Sequence, residues 1–310
     1  MSATVLEVPV EQAVAPLQRT VRPRPPAPPR PEAAPAAAVT ATALLVLGSL
    51  CAWFALHLLV LGGFEQARSQ QMLYAQLRVQ LADQTAPLGG PIPIGDPVAL
   101  LTIPTLGLQQ VVVEGTASGD LLAGPGHLRS TVLPGQAGVA VLFGRSATYG
   151  APFRAVPSLR AGDGIEVTTG QGRFVYRVDA VRRAGDPLPA PPATRGGRLT
   201  LVTTVGHGLT GALAPAEVVY VDATLRGDAA VGEPGRPASV PDAEAPLGID
   251  TAVLPVLAAA MQGLLLAVVG TVLLRRRLPA RVLWIVAAPV LVGLAWVTTD
   301  ALARLLPNLI

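Results

Sequence analysis

Three long apolar segments constrain the fold of this chain more than any other feature. They cover residues 39–63, 251–274 and 282–306. Each is long enough to cross the roughly 30 Å hydrocarbon core of a bilayer as a helix. Only 14% of the residues are charged, whereas soluble domains usually contain about 25%. The sequence therefore predicts a multi-pass membrane protein with three transmembrane helices.

The arginines indicate the orientation of these helices. All 23 basic residues are Arg, because the chain contains no Lys. One group lies in residues 1–38, and a second group, Arg275-Arg276-Arg277, lies in the loop 275–281. The positive-inside rule places both groups in the cytoplasm. We therefore expect a cell-membrane protein with a cytoplasmic N-terminus, while residues 64–250 and the C-terminus are extracytoplasmic.

The segments that flank the apolar stretches have distinct compositions. Residues 1–38 are rich in Pro and Ala, which predicts a disordered cytoplasmic tail. Residues 64–90 predict a juxtamembrane helix and linker, because apolar residues recur at helical spacing until Gly89-Gly90-Pro91. Residues 229–250 are polar and contain Pro, which is typical of a linker. The single cysteine, Cys51, lies in the first apolar segment, so no intrachain disulfide is expected.

Residues 91–228 carry a different pattern. Short β-branched runs alternate there with Gly and Pro, which is typical of strands and turns. The predicted strands cover residues 100–103, 111–113, 139–142, 165–167, 174–178, 199–202 and 218–221. So many short strands in one segment favour a closed barrel. The predicted fold class is mainly β, with a closed β-barrel ectodomain and three transmembrane α-helices.

Two motifs in this region resemble those of the sortases, the cell-surface cysteine transpeptidases of mostly Gram-positive bacteria. Residues 144–153 read Gly-Arg-Ser-Ala-Thr-Tyr-Gly-Ala-Pro-Phe, where the family has Gly-His-Arg and then Gly-Ala-Pro-Phe. Residues 199–204 read Leu-Thr-Leu-Val-Thr-Thr, where the family has Thr-Leu-x-Thr-Cys. Gly-Asp-Pro-Val at 95–98 and Gly-Pro-Gly-His at 124–127 also follow the family's order. The resemblance covers about residues 92–228 and implies an eight-stranded barrel with a groove for a sorting peptide.

The resemblance also assigns catalytic roles, and this sequence departs from all of them. The family's reaction uses a Cys nucleophile, a His that transfers protons and an Arg that stabilises the oxyanion. Thr204 stands at the Cys position, Arg145 at the His position, and Glu217 or Val218 at the Arg position. A threonine hydroxyl is not ionised at neutral pH, and an arginine accepts no proton. We therefore expect no catalytic residue and interpret the chain as a sortase-like pseudoenzyme.

On this interpretation the groove binds or scaffolds a cell-envelope protein or peptide. The residues expected to line it are Arg145, Ser146, Tyr149, Thr203, Thr204 and His207. A first alternative is an active, divergent transpeptidase or peptidase in which Thr204 pairs with His207. A second alternative is a membrane-complex assembly subunit that acts through its transmembrane helices. The sequence does not specify the ligand or the oligomeric state.

Other ligand classes lack a sequence signal. The three His residues, the intramembrane Cys51 and the scattered carboxylates show no metal-ligand spacing. No glycine-rich loop opens a predicted helix in the way that a phosphate site requires. The Arg residues are dispersed or flank apolar segments, so they do not form a nucleic-acid footprint. We expect no metal, no cofactor and no nucleic-acid partner.

Overall fold

A computed structural model describes residues 35–206, 217–275 and 277–310. The chain forms two compact units, Met1–Gly48 and Ser49–Ile310, and the second contains the whole β-sheet and the last two helices. The predicted tail over residues 1–38 lies mostly outside the described residues, and a helix already begins at Pro35.

The N-terminal apolar segment and the juxtamembrane segment form one continuous helical stretch. The first helix passes through a π-helical turn, His57–Leu61, directly into the second. Two further helices follow the barrel. The four helices are α1 (Pro35–Leu56), α2 (Gly62–Ala82), α3 (Leu254–Leu274) and α4 (Ala280–Arg304).

Three of the described helical stretches are long and apolar enough to cross a membrane. They are Gly48–Ala82, Thr251–Leu274 and Arg281–Arg304. Pro255 occupies the first turn of α3, where its missing N–H has no helical partner to lose. Few side chains in the apolar windows of these stretches are buried inside the protein, as expected for helices that contact lipid.

The predicted closed barrel is confirmed, and it has eight strands. They are β1 (Pro97–Ile103), β2 (Leu108–Glu114), β3 (Gly126–His127), β4 (Gly138–Phe143), β5 (Gly164–Thr169), β6 (Gly172–Arg183), β7 (Gly197–Val205) and β8 (Glu217–Arg226). Their order around the barrel is β1-β2-β3-β4-β7-β8-β6-β5. Each of the seven predicted runs lies within a strand. The eighth strand, β3, has only two residues, which is too short to produce a periodic signal.

Alternation along the strands separates two apolar faces. The barrel interior contains Leu142 of β4, Leu201 of β7 and Val221 of β8. Their neighbours Phe143, Val202 and Tyr220 belong to a second cluster, because successive side chains point to opposite faces of a sheet. The outer face of β4, β7 and β8 is therefore apolar and available for packing.

The predicted linker 229–250 packs against the barrel through a buried polar network. The Arg236 guanidinium donates to Glu114 Oε1 over 2.6 Å. The other oxygen of Glu114 lies 2.9 Å from His127 Nδ1, and His127 Nε2 lies 2.9 Å from the Val132 carbonyl oxygen. Glu114 and His127 are buried. His127 of the Gly-Pro-Gly-His motif therefore belongs to the network through which Arg236 of the linker binds the barrel.

Candidate functional site

The two motifs meet where β4 and β7 end. These strands pair in parallel, with Phe143 opposite Val202, so the residues that follow them lie side by side. The Gly144 N–H donates to the Val202 carbonyl (3.0 Å), and the Thr203 hydroxyl donates to the Gly144 carbonyl (3.0 Å). A Cβ at Gly144 would lie 2.3 Å from Phe153 Cγ, so this close turn requires glycine.

Arg145 is fully buried at this junction. Its Nη1 donates to Thr148 Oγ1 (3.0 Å) and to the Ile310 carbonyl oxygen (2.8 Å). Its Nη2 donates to the carbonyl and the hydroxyl oxygen of Ser118, both at 2.8 Å. The oxygens of Ser118 and Thr148 are neutral, and no Asp or Glu forms an ion pair with Arg145 in the part of the chain that the structure describes.

The electrostatics of Arg145 follow from this burial. Burial lowers the pKa of the Arg145 guanidinium to about 10, because the charged form loses its hydration. The Tyr149 ring lies 5.5 Å from its Cζ and partly offsets this loss. The buried Nε atom has no hydrogen-bond partner. Arg145 is thus a desolvated cation at neutral pH, and no Asp or Glu side chain of the described residues neutralises it.

Thr204 and Ser146 form a pair of hydroxyls beside Arg145. Their oxygens are 2.7 Å apart, and each hydroxyl lies 3.1 Å from the Leu309 carbonyl oxygen. The Ser146 N–H also donates to this oxygen, over 3.0 Å. Because one hydroxyl of the pair donates to the other, the Ser146 N–H and the second hydroxyl are the donors to this peptide carbonyl.

The position expected for the family's Arg lies across the sheet from Thr204. Val218 pairs with Thr204 in the β7–β8 register, and Glu217 pairs with Val205. Val218 packs in the outer apolar cluster, and Glu217 Oε2 lies 3.2 Å from Arg183 Nη1. No cation therefore projects from Glu217 or Val218 towards Thr204. His207, the partner proposed for Thr204, lies outside the described residues.

A short segment after α4 fills this site. Leu309 is fully buried against Leu121, Phe143, Val202 and Val218. Residues 307–310 form a turn, in which the Ile310 N–H donates to the Pro307 carbonyl over 3.1 Å. We name the residues that bind its carbonyls the groove: Ser146 and Thr204 on Leu309, and Arg145 and Thr148 on Ile310.

The sequence did not indicate this segment. Residues 307–310 follow the third apolar stretch without a periodic pattern, and their partners lie far away along the chain. Ser146 and Leu309, for example, are 163 positions apart. Thr148 and Ser118 were missed for the same reason, since a lone Thr or Ser in a loop has no sequence signal for buried contact.

Tyr149 connects the loop after β4 to the membrane helices. Tyr149, Gly150 and Ala151 have φ values of 48°, 74° and 46°, so three successive residues adopt the left-handed conformation. For non-glycine residues this conformation costs roughly 1 kcal/mol or more and persists only where the surroundings enforce it. The Tyr149 ring packs on Gly62, where a Cβ would lie 2.9 Å from Cδ1, and its hydroxyl donates to Asp300 Oδ1 over 3.1 Å.

The predicted groove residues therefore separate into three sets. Arg145, Ser146 and Thr204 contact the 307–310 segment. Thr203 is fully buried and bonds to Gly144, and Tyr149 faces the helices. His207 is not described.

One set of potential metal ligands occurs within the described ranges. Atoms of His57, Glu65 and Asp300 all lie within 4.8 Å of one another. His57 Nε2 is 2.9 Å from Asp300 Oδ1, so the histidine of the first apolar segment has a partner on α4. This hydrogen bond, together with the Tyr149 hydroxyl on Asp300, accounts for the contact between the helix ends and the barrel loop.

Comparison with known proteins identifies the class of barrel. Residues 101–207 match the family model described as Sortase domain. Sortase D of Bacillus subtilis is 32% identical over 84 residues, which are 27% of this chain and 41% of that protein. The chain thus spans less than half the length of this relative. Residues 101–207, which form most of the barrel, are therefore similar to a sortase domain, and the predicted resemblance to the sortase family is confirmed.

Several solved sortase structures align with part of this chain. A sortase D5 transpeptidase of Clostridium perfringens is 20% identical and covers 52% of this chain and 99% of its own, with a TM-score of 0.43. Sortase E of Streptomyces avermitilis is 28% identical and covers 44% and 91%, with a TM-score of 0.36. Sortase A of Corynebacterium diphtheriae is 21% identical and covers 52% and 85%, with a TM-score of 0.38.

The expectation that this chain is not an enzyme is wrong. Its domain matches a family of enzymes, and its curated relative is a sortase. The expectation rested on three substituted positions, Arg145, Thr204 and Glu217 or Val218. A substitution removes one way of carrying out a reaction, and it does not exclude another. Nothing among the described residues shows inactivity.

Proposed function

We propose that this chain is a membrane-anchored sortase-family protein whose groove binds a peptide segment of a cell-envelope protein. One observation carries the proposal: the groove already holds peptide carbonyls, those of Leu309 and Ile310, with donors from Arg145, Ser146, Thr148 and Thr204. Donors that converge on main-chain carbonyls recognise a peptide through its backbone. The apolar outer face of β4, β7 and β8 supplies contact area for its side chains.

The charge of the groove favours a particular peptide. Arg145 keeps its positive charge at neutral pH and has no Asp or Glu partner among residues 35–206, 217–275 and 277–310. Charge-assisted hydrogen bonds between Arg and a carboxylate are roughly twice as strong as neutral ones. A peptide that places a free carboxylate against Arg145 would therefore bind more tightly than the matching amide.

The helix ends support the expected membrane orientation. His57 after α1 and Asp300 of α4 both contact Tyr149 of the barrel loop, which supports our proposal that these helix ends lie on the barrel's side of the membrane. The Arg-rich loop between α3 and α4 is at the opposite ends of those helices. With this loop in the cytoplasm, the barrel is extracytoplasmic and the N-terminus is cytoplasmic.

A second candidate function is acyl transfer, the reaction class of the transpeptidase relatives. The observation that favours it is the hydroxyl pair of Ser146 and Thr204 beside a peptide carbonyl. Thr204 Oγ1 would attack the carbonyl carbon and give its proton to a base. The C–N bond would break, the amine would leave with a proton, and an incoming amine would resolve the ester. A threonine needs an adjacent base for this step, and His207 is the residue proposed for it.

Peptide display on the full chain in lipid nanodiscs tests the first proposal. A peptide library is selected on the wild type, on Arg145→Met and on the matched control Arg160→Met, an exposed Arg of the barrel. A second selection uses the Leu309→Ala background, in which the segment no longer fills the groove tightly. Enrichment that Arg145→Met abolishes and Arg160→Met retains is expected. Equal enrichment on all variants in both backgrounds would overturn peptide binding in the groove.

Mass spectrometry tests the second candidate. Enriched peptides are incubated with the full chain and triglycine as the incoming amine. Acyl transfer gives a peptide–triglycine product that Thr204→Val abolishes, whereas Thr168→Val on β5, three strands away, leaves it unchanged. A product formed equally by Thr204→Val would exclude Thr204 as the nucleophile.

A further inference from the structure

We propose that the groove selects a peptide in which a carboxamide residue is followed by two aliphatic residues. We further propose that the chain's own segment, residues 307–310, holds the groove until such a peptide displaces it. This inference rests on the proposed peptide-binding function.

Asn308 carries the carboxamide part of the inference. Its Nδ2 donates to two main-chain oxygens, of Thr116 (2.8 Å) and Ala245 (2.9 Å), and the residue is fully buried. Two carbonyls facing one nitrogen require a group with two N–H bonds, which Asn supplies. An aspartate would place a negative charge against both oxygens and would have no proton for either.

The cradle of Asn308 is built by the barrel and the linker together. The Thr116 hydroxyl donates to the Glu244 carbonyl (2.8 Å), which fixes the linker beside β2. The Asn308 N–H donates to the Gly248 carbonyl (3.0 Å). Because these groups lie on elements outside the segment, they remain in place for another chain to bind.

Leu309 and Ile310 correspond to the two aliphatic residues of the proposed peptide. The Leu309 side chain lies in the outer apolar cluster with Leu121, Phe143 and Val202. Leu309 and Ile310 are both nearly inaccessible to solvent. A charged side chain at position 309 would lose its hydration there without gaining a partner. The pocket therefore selects for an aliphatic residue.

The segment is a separable part of the molecule. It pairs with no strand of the barrel, and the interior core contains none of its residues. It follows α4 through Leu305 and Leu306, which lie beyond the end of the helix at Arg304. Its release therefore breaks contacts that a second peptide of similar sequence can form again.

Fluorescence polarisation on the full chain in lipid nanodiscs tests the inference. The probe is a fluorescein-labelled synthetic peptide amide with the sequence of residues 305–310, Leu-Leu-Pro-Asn-Leu-Ile. The variant Asn308→Asp/Leu309→Asp expels the chain's own segment. If the segment occupies the groove in at least nine molecules of ten, the probe binds this variant about tenfold or more tightly than the wild type. A control probe with Asp at the Asn and Leu positions should bind neither protein.

Each other outcome overturns a defined part. Equal probe affinity for wild type and variant removes the internal competitor but leaves peptide binding standing. No binding to either protein overturns this inference, whereas the library selection decides separately whether the groove binds another peptide. Equal affinity of the Asn and Asp probes for the variant overturns the selectivity. Thermal unfolding of both proteins reports whether the barrel stays folded, and Leu309→Ala provides a milder second variant if the double variant does not.

Discussion

Replacing Leu309 by Ala should release the 307–310 segment without unfolding the barrel. Leu309 is fully buried and packs against apolar side chains of β4, β7 and β8. Truncating a buried Leu to Ala costs about 2–5 kcal/mol. Because the segment can leave while the barrel remains closed, this loss falls on the docking equilibrium. Even about 2 kcal/mol corresponds to a roughly thirtyfold increase in the undocked population.

Hydrogen exchange measured by mass spectrometry on the full chain in nanodiscs reports this population. The Ser146 N–H donates to the Leu309 carbonyl, and the Asn308 N–H donates to the Gly248 carbonyl. Both amides lose their acceptor or their position when the segment leaves. In Leu309→Ala they should exchange about thirtyfold faster, since exchange through local opening follows the open population. Amides of the barrel strands should keep their wild-type protection.

Two matched Leu→Ala variants serve as controls. Leu201 is fully buried in the barrel interior, so Leu201→Ala should lower the melting temperature and speed exchange in every strand. Leu188 is 79% exposed, so Leu188→Ala should change neither quantity. The reasoning is refuted if Leu309→Ala leaves Ser146 exchange unchanged. It is also refuted if Leu309→Ala lowers the melting temperature as much as Leu201→Ala does.

Three further predictions concern the barrel and its surroundings. Burial raises the pKa of Asp120 to about 6, so the stabilising effect of its protonated form is present below about pH 4 and is lost as the pH rises through about 6. Asp120→Asn should therefore stabilise the protein by roughly 1–2 kcal/mol near pH 8 and by almost nothing near pH 4, measured by urea unfolding. Glu114→Gln breaks the buried network with His127 and Arg236 and should cost about 3–5 kcal/mol in the same assay. Gly144→Ala places a Cβ 2.3 Å from Phe153 Cγ and should lower stability by about 1–3 kcal/mol or more.

Each of these has a result that would contradict it. A pH-independent effect of Asp120→Asn would show that burial does not raise this pKa. If Glu114→Gln leaves the free energy of unfolding unchanged, the linker is held to the barrel by other contacts. A wild-type melting temperature for Gly144→Ala would show that the turn can open enough to accept a Cβ.

Much of the fold could be predicted from the sequence, because the signals are local. The apolar stretches at 251–274 and 282–306 and the β-branched runs of the barrel reflect residues that are close in the chain. The resemblance of the motifs at 144–153 and 199–204 to those of sortases also placed Arg145 and Thr204 in one groove. The short strand β3 escaped prediction because two residues produce no period.

What occupies the groove was decided only by the tertiary structure. Three features depend on partners more than 90 positions away in the chain. They are the burial of Arg145, the contact of Tyr149 with His57 and the docking of Leu309. Hydrophobic periodicity records which face of an element is covered, and it does not record what covers it. The identity of polar residues such as Ser118 and Thr148 indicates even less about burial, because a hydroxyl can hydrogen-bond either to water or to a buried protein group. The sequence therefore determined the barrel, the helices and the substituted catalytic positions, while folding decided that a segment of the same chain lies against them.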